Sequence, residues 1–349
     1  MRTTLSSFLA VLMALVLISA TATAGGGDRS GTAGADQLLV PVGARGIALG
    51  SSYSAGISGL NAIYFNPAGL AATKNSAEAL FSHTSSFGDI GVDYAAVGAE
   101  FGGFGHLAFS VKSLSFGDID LTDETSPDGT GATWSPTFVA LGVTYARALT
   151  DRIRAGVSAY LVSEDMYRVS AATASFDIGV QYQGLAGVRG LGIGVTLRHL
   201  GGNVQYEGAG LTRRVDELDS KRDPQLLRIE AAGFSLPTSL ELGVAYTRTL
   251  AELHNFTFAG SFENNNFITD QYRVGVEYSF RNFFFLRGSY NMAGDEPDNA
   301  FDEGAYEYDA AFGAGVNLDA GDLQIGVDYA YRHMKTFDGN HVITVNLGF

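Results

Sequence analysis

The chain has 349 residues, a formal net charge of -15, no cysteine, and 17% charged against 46% hydrophobic residues. Acidic side chains outnumber Lys and Arg by 37 to 22, which argues against nucleic acid as a partner because few cations are left to neutralise phosphates. The lack of cysteine excludes a disulfide framework and a thiolate zinc site.

Residues 1–24 have the pattern of a secretory signal peptide. Arg2 gives the positive start, residues 8–18 are apolar, and Ala22-Thr23-Ala24 is a small-residue cleavage site. After Ala24 no run approaches the roughly 20 apolar residues of a transmembrane helix. We therefore expect an exported chain, and such a chain can still span a membrane as a closed β-barrel.

Residues 25–75 form a second predicted unit, rich in Gly, Ala and Ser and ending in turn-forming residues. A compact small-residue segment ahead of a long series of strands predicts an insert that fills a barrel as a plug. The residues assigned to this plug are Gly43, Arg45, Gly46, Asn66, Pro67, Ala68 and Gly69. Arg45 is expected to meet a carboxylate of the inner wall, and the candidates are Asp177, Glu241 and Glu277.

Residues 76–349 alternate between apolar and small or polar side chains, which predicts strand after strand. About fourteen strands result, an even number as in bacterial single-chain barrels. The predicted strands are 76–85, 90–101, 104–114, 134–148, 152–164, 172–183, 189–200, 235–249, 254–263, 270–281, 283–292, 306–318, 322–332 and 340–349.

Alternation also occurs in a soluble sandwich, so the composition of the second face decides between the two folds. That face mixes Gly, Ala, Ser and Thr with charges such as Asp177 and Arg198, as a filled lumen requires. A cation facing lipid at the bilayer midplane would cost roughly 2–4 kcal/mol, and no predicted strand carries one near its centre. We therefore predict an all-β fold, a transmembrane antiparallel β-barrel of about 14 strands over residues 76–349, with the plug in its lumen.

Tight connections alternate with long polar ones at 115–133, 201–233 and 293–305. Short periplasmic turns and long external loops fit this pattern, which places both termini in the periplasm. A repeated Gly-Val-x-Tyr motif ends several strands that run toward the short turns. Its tyrosines at the ends of these strands predict a periplasmic aromatic girdle, and they are Tyr145, Tyr182, Tyr246 and Tyr278.

Gly102, Gly103 and Gly105 predict a weak point in the barrel wall. Glycines remove side chains and favour a kink or bulge, which breaks ladder hydrogen bonds locally. We interpret this region as a possible lateral opening, and the Asn66–Gly69 turn as the anchor of the plug beside it. The alternative is that this turn serves backbone geometry alone.

The final predicted strand places Val345, Leu347 and Phe349 on one face, with the aromatic residue last. This pattern resembles the C-terminal signal by which the outer-membrane assembly machinery recognises its barrels. We therefore predict that these three residues form an assembly signal.

No catalytic, metal or cofactor site is predicted. The six histidines lack metal-ligand spacing. His106 and Ser110 share a strand face, but their separation along a strand is roughly 13 Å, too far for a catalytic hydrogen bond. Acidic residues cluster in two external loops, at 118–128 and 295–303; calcium binding is one interpretation and a solvated surface is the other.

Two stretches of the small-residue segment, VGARGIALG at 42–50 and YFNPAGLA at 64–71, resemble the N-terminal signature of the PorV/PorQ family. That family is itself similar to FadL-type outer-membrane transporters. The first resemblance implies an interaction component of a type IX-like secretion route, with secretion-system proteins and cargo as partners. The second implies a passive transporter of fatty acids or other hydrophobic molecules. Both imply a non-enzymatic barrel in the bacterial outer membrane, surrounded by its lipid.

Overall fold

The computed structural model describes residues 29, 31–215, 225–251, 253–294 and 306–349. The predicted signal peptide at 1–24 and the acidic stretch 295–303 lie outside the described residues.

Fourteen strands of the described chain form one closed antiparallel barrel, which confirms the predicted fold class and strand number. These barrel strands are β1 (Ala77–Ser85), β2 (Gly91–Glu100), β3 (His106–Ser115), β6 (Thr137–Ala148), β7 (Ile153–Met166), β8 (Val169–Gln183), β9 (Leu191–Gly201), β12 (Ser239–Leu250), β13 (His254–Asn265), β14 (Gln271–Phe280), β15 (Phe284–Ala293), β16 (Ala310–Ala320), β17 (Leu323–Arg332) and β18 (Asn340–Gly348). The barrel closes between β1 and β18, from Glu78 opposite Gly348 to Ser85 opposite His341.

Two short ribbons lie in the longer connections. They are β4 (Ile119–Asp120) with β5 (Thr133–Trp134), and β10 (Thr212–Val215) with β11 (Gln225–Arg228). The sequence pattern gave no indication of them, because strands of two to four residues are too short to show a period.

The barrel has an apolar outside and a polar inside. On the outer face Leu161 is 66% and Phe109 is 59% exposed, whereas the inward-facing Thr144, Ser158 and Thr196 are buried. A soluble sandwich has the opposite distribution. Large apolar side chains over a whole outer surface are stable only against lipid, so this burial pattern is that of a membrane-spanning barrel.

The two ends of the barrel differ in their connections. At one end the strands are joined by short turns at 101–105, 149–152, 184–190, 251–253, 281–283 and 321–322. The other end carries the longer segments at 116–136, 202–238 and 294–309, together with four shorter links. The first barrel strand, β1, begins at the short-turn end, and the last, β18, ends there. We call the two ends the short-turn end and the long-loop end.

The N-terminal segment before β1 is irregular and almost wholly buried. Its helical turns are the 3₁₀ helix Asp36–Leu39, the short α-helix α1 (Ala44–Ala48), and the 3₁₀ helices Gly59–Ala62 and Pro67–Ala72. Further 3₁₀ turns occur in connections of the barrel, at Gly102–Phe104, Leu185–Gly187 and Ala209–Leu211. None of the helices in the described residues has the length and apolarity to cross a membrane.

Apolar contacts hold this segment against several sides of the inner wall. Val42, Leu60 and Ile63 form one buried cluster with side chains of β1, β2 and β3. On another side Ile47 and Ala48 of α1 pack on β17 and β18. The segment therefore lies within the lumen, and we call residues 34–73 the luminal segment.

Candidate functional site in the barrel lumen

Inward-facing glycines let the backbone of the luminal segment lie directly on the wall. A Cβ atom added at any of these glycines would lie between 2.1 and 2.7 Å from an atom of the segment. Real Cβ atoms do not approach so closely, so a side chain added there alone would force the facing atoms of the segment to move. The glycines, from five neighbouring or near strands, are Gly156, Gly179, Gly194, Gly243 and Gly275.

Three of these glycines, Gly179, Gly243 and Gly275, belong to the repeated Gly-Val-x-Tyr motif. The sequence predicts a girdle for the tyrosines of the motif and no role for its glycines. In the structure each of these three glycines leaves room for the segment. The alternation along each strand indicates this role, because the glycines fall on the same strand face as the luminal charges.

The predicted plug turn begins at Asn66, which links the segment to β8. Its side-chain oxygen accepts a hydrogen bond from the Ala68 amide at 3.1 Å, capping the 3₁₀ helix Pro67–Ala72. Its amide nitrogen donates to the Ser54 carbonyl at 3.1 Å and the Val180 carbonyl at 3.2 Å. Asn66 is fully buried. The turn therefore has a local capping role and a long-range docking role together.

Two glutamines of β8, which the sequence analysis missed, also hold the segment. The Gln181 amide donates to the carbonyls of Ser54 at 2.9 Å and Ile57 at 3.0 Å. The Gln183 amide donates to the Ala55 carbonyl at 2.7 Å. These bonds satisfy backbone carbonyls that irregular structure would otherwise leave unpaired in a dry interior.

Arg45 of α1 joins a buried chain of charges on the opposite wall. It pairs with Glu277 of β14 at 2.9 Å, one of the three carboxylates considered from the sequence. Glu277 also pairs with Arg287 of β15 at 2.6 Å, and Arg287 pairs with Asp328 of β17 at 2.5 Å. Each charge has an opposite partner, which a buried ion requires. The role of Arg45 in plugging stays a prediction, while its attachment to the wall is observed.

A second charged cluster lies entirely within the wall, on β9, β12, β13 and β14. Arg198 pairs with Glu241 at 3.1 Å and with Glu263 at 2.7 Å, and Arg273 contacts the same two carboxylates. Two guanidinium groups thus neutralise two carboxylates. Together with the Arg45 chain, this cluster makes one half of the lumen charged, while the β1–β3 half that faces Val42 and Leu60 is mainly apolar.

Lys112 of β3 secures the start of the segment. Its ammonium donates hydrogen bonds to the carbonyls of Gln37 at 2.6 Å and Val40 at 2.5 Å, and it lies 5.1 Å from the centroid of the Tyr64 ring. A small cavity of about 20 Å³ lies beside it. Aromatic and apolar side chains supply most of its lining, which consists of Leu38, Tyr64, Tyr94, Ser110, Lys112, Ala140, Tyr160, Asp177 and His199.

A larger cavity of about 130 Å³ lies at the short-turn end. Its lining is polar and includes Arg45, Asn61, Glu78 and Asn346, with Asn61 donating to Asn346 at 2.8 Å. A polar space of this size holds a few water molecules. Residues of the luminal segment line part of both cavities.

At the long-loop end the 202–238 connection covers the segment. Val204 is buried against Ala35 and Leu38, and the Gly34 amide donates to the Ser235 carbonyl at 3.0 Å. Tyr206 donates its hydroxyl to Glu164 of β7. Burial and this hydrogen bond to a carboxylate both raise the pKa of Tyr206, so the phenol keeps its proton and remains a donor.

The structure shows no kink of the wall at Gly102, Gly103 and Gly105, so the predicted reason for a weak point is absent, while a lateral opening there stays a prediction. The three glycines lie in and beside the 3₁₀ turn between β2 and β3, and the β2–β3 ladder runs without interruption from Gly91 opposite Ser115 to Glu100 opposite His106. The physical reason is that the glycines serve a tight turn, with Gly102 and Gly105 at positive φ.

The irregularity of the wall lies instead between β8 and β9. The register shifts between Phe176 and Ile178, so that β9 has an extra residue opposite β8. His199 takes a positive φ of 58° there, and its amide donates to the Asp177 carboxylate at 2.7 Å. This is a β-bulge stabilised by a buried side chain. It was not predicted, because no glycine marks it.

The other predicted site residues lie as follows. Gly43 has a φ of 85° before α1, and Gly46 packs against the ring of Phe65. Leu347 and Val345 lie on the lipid side of β18 with Phe349 after it; the Phe349 amide donates to Ala77 at 2.9 Å. Their role as an assembly signal stays a prediction. Within the described residues no three His, Asp or Glu side chains come together as metal ligands.

This geometry defines a class of protein: a closed transmembrane β-barrel whose lumen is occupied by its own N-terminal segment. No protein-family model matches the chain, and no curated protein matches it either. Solved structures do. The toluene transporter TbuX of Ralstonia pickettii matches with a TM-score of 0.52 at 14% identity, over 88% of this chain and 98% of that one.

Two further structures agree. The toluene transporter TodX of Pseudomonas putida matches with a TM-score of 0.51 at 12% identity, covering 86% of this chain and 96% of its own. A FadL homologue of Pseudomonas aeruginosa gives 0.51 at 10% identity, covering 89% and 98%. At such low identity these likenesses establish the fold, which is the FadL-type barrel, and leave activity to be argued from the site.

Proposed function

We propose that the protein lies in the bacterial outer membrane, with both termini in the periplasm, and lets hydrophobic molecules pass through its lumen by displacement of the luminal segment. The single observation that carries this proposal is the occupied lumen with one apolar half. An apolar solute entering there would contact Leu38, Tyr64 and Tyr160, with Lys112 and Asp177 beside them, and would avoid the paired charges of the opposite wall.

The size of the apolar cavity requires movement. A space of about 20 Å³ holds roughly one water molecule, whereas small-molecule sites measure about 300 Å³ or more. The segment must therefore shift before a solute passes. Its contacts with β1, β2 and β3 are mainly apolar, apart from hydrogen bonds with Lys112 and Glu78, whereas an ion pair fixes Arg45 to the other side. Displacement from the apolar half breaks no buried ion pair of the described residues. The fold shared with toluene transporters supports the same function.

A disulfide between segment and wall tests this proposal. A Cβ atom added at Gly243 would lie 3.6 Å from the Cβ of Ser54, within the roughly 3.5–4.5 Å that disulfides need. The chain contains no other cysteine that could pair. We expect the oxidised Ser54→Cys/Gly243→Cys variant to take up toluene or oleate at least about tenfold more slowly than its reduced form. Uptake of labelled toluene and oleate into proteoliposomes is the measurement.

The matched control is Thr144→Cys/Ser158→Cys. These two residues are buried, face the lumen and oppose each other on β6 and β7, but neither holds the segment. Its oxidation should leave uptake unchanged. Parental uptake by a fully cross-linked Ser54–Gly243 variant would show that passage does not involve displacement of the segment.

A second candidate function is a role in a type IX-like secretion route, as a PorV/PorQ-type component that receives cargo. The observation that favours it is the signature at 42–50 and 64–71, which the structure places in the luminal segment. Under this hypothesis, secretion-system proteins and cargo would co-purify with the barrel from native membranes. Retention of such proteins together with loss of cargo at the cell surface after gene deletion would favour secretion, and neither effect is expected of a transporter.

A further inference from the structure

A group of arginines lies at the outside of the short-turn end. Arg147 and Arg248 occupy outward positions at the ends of β6 and β12, two residues beyond Tyr145 and Tyr246. Arg152, Arg189 and Arg281 lie in the turns that follow β6, β8 and β14. All five arginines are exposed. They follow one another around the barrel from β6 to β15, and we call them the rim arginines.

Within the described residues, the rim arginines differ from the luminal ones in lacking carboxylate partners. Arg45, Arg198, Arg273 and Arg287 each pair with one or two carboxylates inside the barrel. In the part of the chain that the structure describes, none of the rim arginines forms an ion pair with a carboxylate. In a chain of net charge -15, five such cations on one arc are a local reversal of charge.

Four rim arginines have an exposed apolar residue one or two positions away in the sequence. Leu149 is 61% exposed beside Arg147, and Phe283 is 47% exposed beside Arg281. Val188 is likewise exposed beside Arg189, and Leu250 is exposed two residues after Arg248. A turn surrounded by water gains nothing from such side chains. An apolar side chain beside a cation, just beyond an aromatic girdle, fits the boundary between lipid tails and headgroups.

The rest of the same end lacks this feature. β16 carries the exposed Asp319 near its end, Asp322 follows it in the β16–β17 connection, and β2 ends at the exposed Glu100. In the sequence of the four turns of the arginine arc there are two acidic residues, Asp151 and Glu252. The arginines are therefore concentrated on one side of the barrel, while the other side of this end carries the exposed Lys74.

We infer that the rim arginines from β6 to β15 bind the headgroups of anionic phospholipids in the leaflet at the short-turn end. Guanidinium groups match phosphate geometry and keep their charge at every physiological pH. The net negative charge of an anionic lipid, and not its phosphate alone, would neutralise the rim arginines. This inference rests on the membrane location stated under the proposed function, but not on transport.

The test compares lipid retention by two variants with equal loss of charge. Arg147→Gln/Arg248→Gln/Arg281→Gln removes three rim arginines. Arg168→Gln/Arg213→Gln/Arg228→Gln removes three exposed arginines at the long-loop end and is the control. Each protein is placed in nanodiscs of equal parts phosphatidylglycerol and phosphatidylcholine. Native mass spectrometry of the released protein then measures which lipid stays bound.

We expect the parent and the control to retain phosphatidylglycerol over phosphatidylcholine by at least about fivefold, and the rim variant to fall close to parity. Addition of millimolar glycerol phosphate should not displace the retained lipid, which separates a lipid site from one for free phosphate. Heat-modifiable migration on gels verifies that each variant is folded.

Equal lipid preference in the rim variant and the parent, or no preference in the parent, would overturn the inference. Displacement by free glycerol phosphate would also overturn it, because the ligand would then be a soluble anion. No transported solute is used here. Parental uptake in the Ser54–Gly243 experiment would contradict the proposed transport and leave this lipid result unchanged, so the two outcomes remain distinguishable.

Discussion

At the scale of single residues, Lys112 shows how a buried cation can serve backbone rather than carboxylate partners. Its two hydrogen bonds to Gln37 and Val40 fix the part of the luminal segment that first enters the barrel. The residue is 6% exposed, so removal of its ammonium would take one donor from the Gln37 carbonyl, which also accepts from the Val40 amide, and the side-chain donor from the Val40 carbonyl. One side chain therefore supplies two of the hydrogen bonds that hold the start of the segment.

We predict that Lys112→Met loosens residues 35–41 while the barrel stays closed. Loss of two buried hydrogen bonds from a charged donor should destabilise segment docking by about 1–3 kcal/mol. Protease cleavage within residues 35–41, followed over time in detergent, is the measurement. Lys74→Met is the control, since Lys74 is exposed. Equal cleavage rates in the two variants would show that Lys112 does not secure the segment.

At the scale of elements, the strands were predictable and the contacts inside the barrel were not. A lipid-facing strand must alternate over its full length, so the sequence carries a strong period-2 signal and the fourteen predicted strands match those observed within a few residues. The bulge at His199, the glutamines of β8 and the docking glycines depend on which distant residues meet. Such pairings leave no local pattern, and Gly102–Gly105 show how a local interpretation of glycine can mislead.

The β2–β3 turn offers a prediction with a built-in comparison. Gly105 has a φ of 118°, and a Cβ there would lie 2.7 Å from the Ala146 carbonyl oxygen, whereas nothing lies within 4 Å of a Cβ at Gly103. Gly105→Ala should therefore cost about 1–3 kcal/mol, and Gly103→Ala close to none. The midpoint temperature of heat-modifiable migration is the measurement. Equal midpoints for both variants would contradict this account of the turn.

At the scale of the whole molecule, the orientation of the barrel determines which cavity faces which compartment. We predict that a cysteine replacing the exposed Thr125 in the 116–136 connection is labelled by a membrane-impermeant maleimide on intact cells. A cysteine replacing the exposed Asn282 in the β14–β15 turn should be labelled at least about tenfold more after lysis than on intact cells. Labelling of Asn282→Cys alone on intact cells would reverse the proposed topology.

The hydroxyl of Thr344 joins three parts of the molecule that are far apart in sequence. It accepts a hydrogen bond from the Ala44 amide of the luminal segment and donates one to Ser82 of β1, each at 2.8 Å. Because β18 is the final strand, the seam between β1 and β18 has a high contact order and its pairing is a slow step. Since one hydroxyl contacts both the segment and β1, we expect closure of the seam and burial of the segment to be coupled. Thr344→Val should slow seam closure and segment burial together, and kinetics in which the two events separate would show that they are independent.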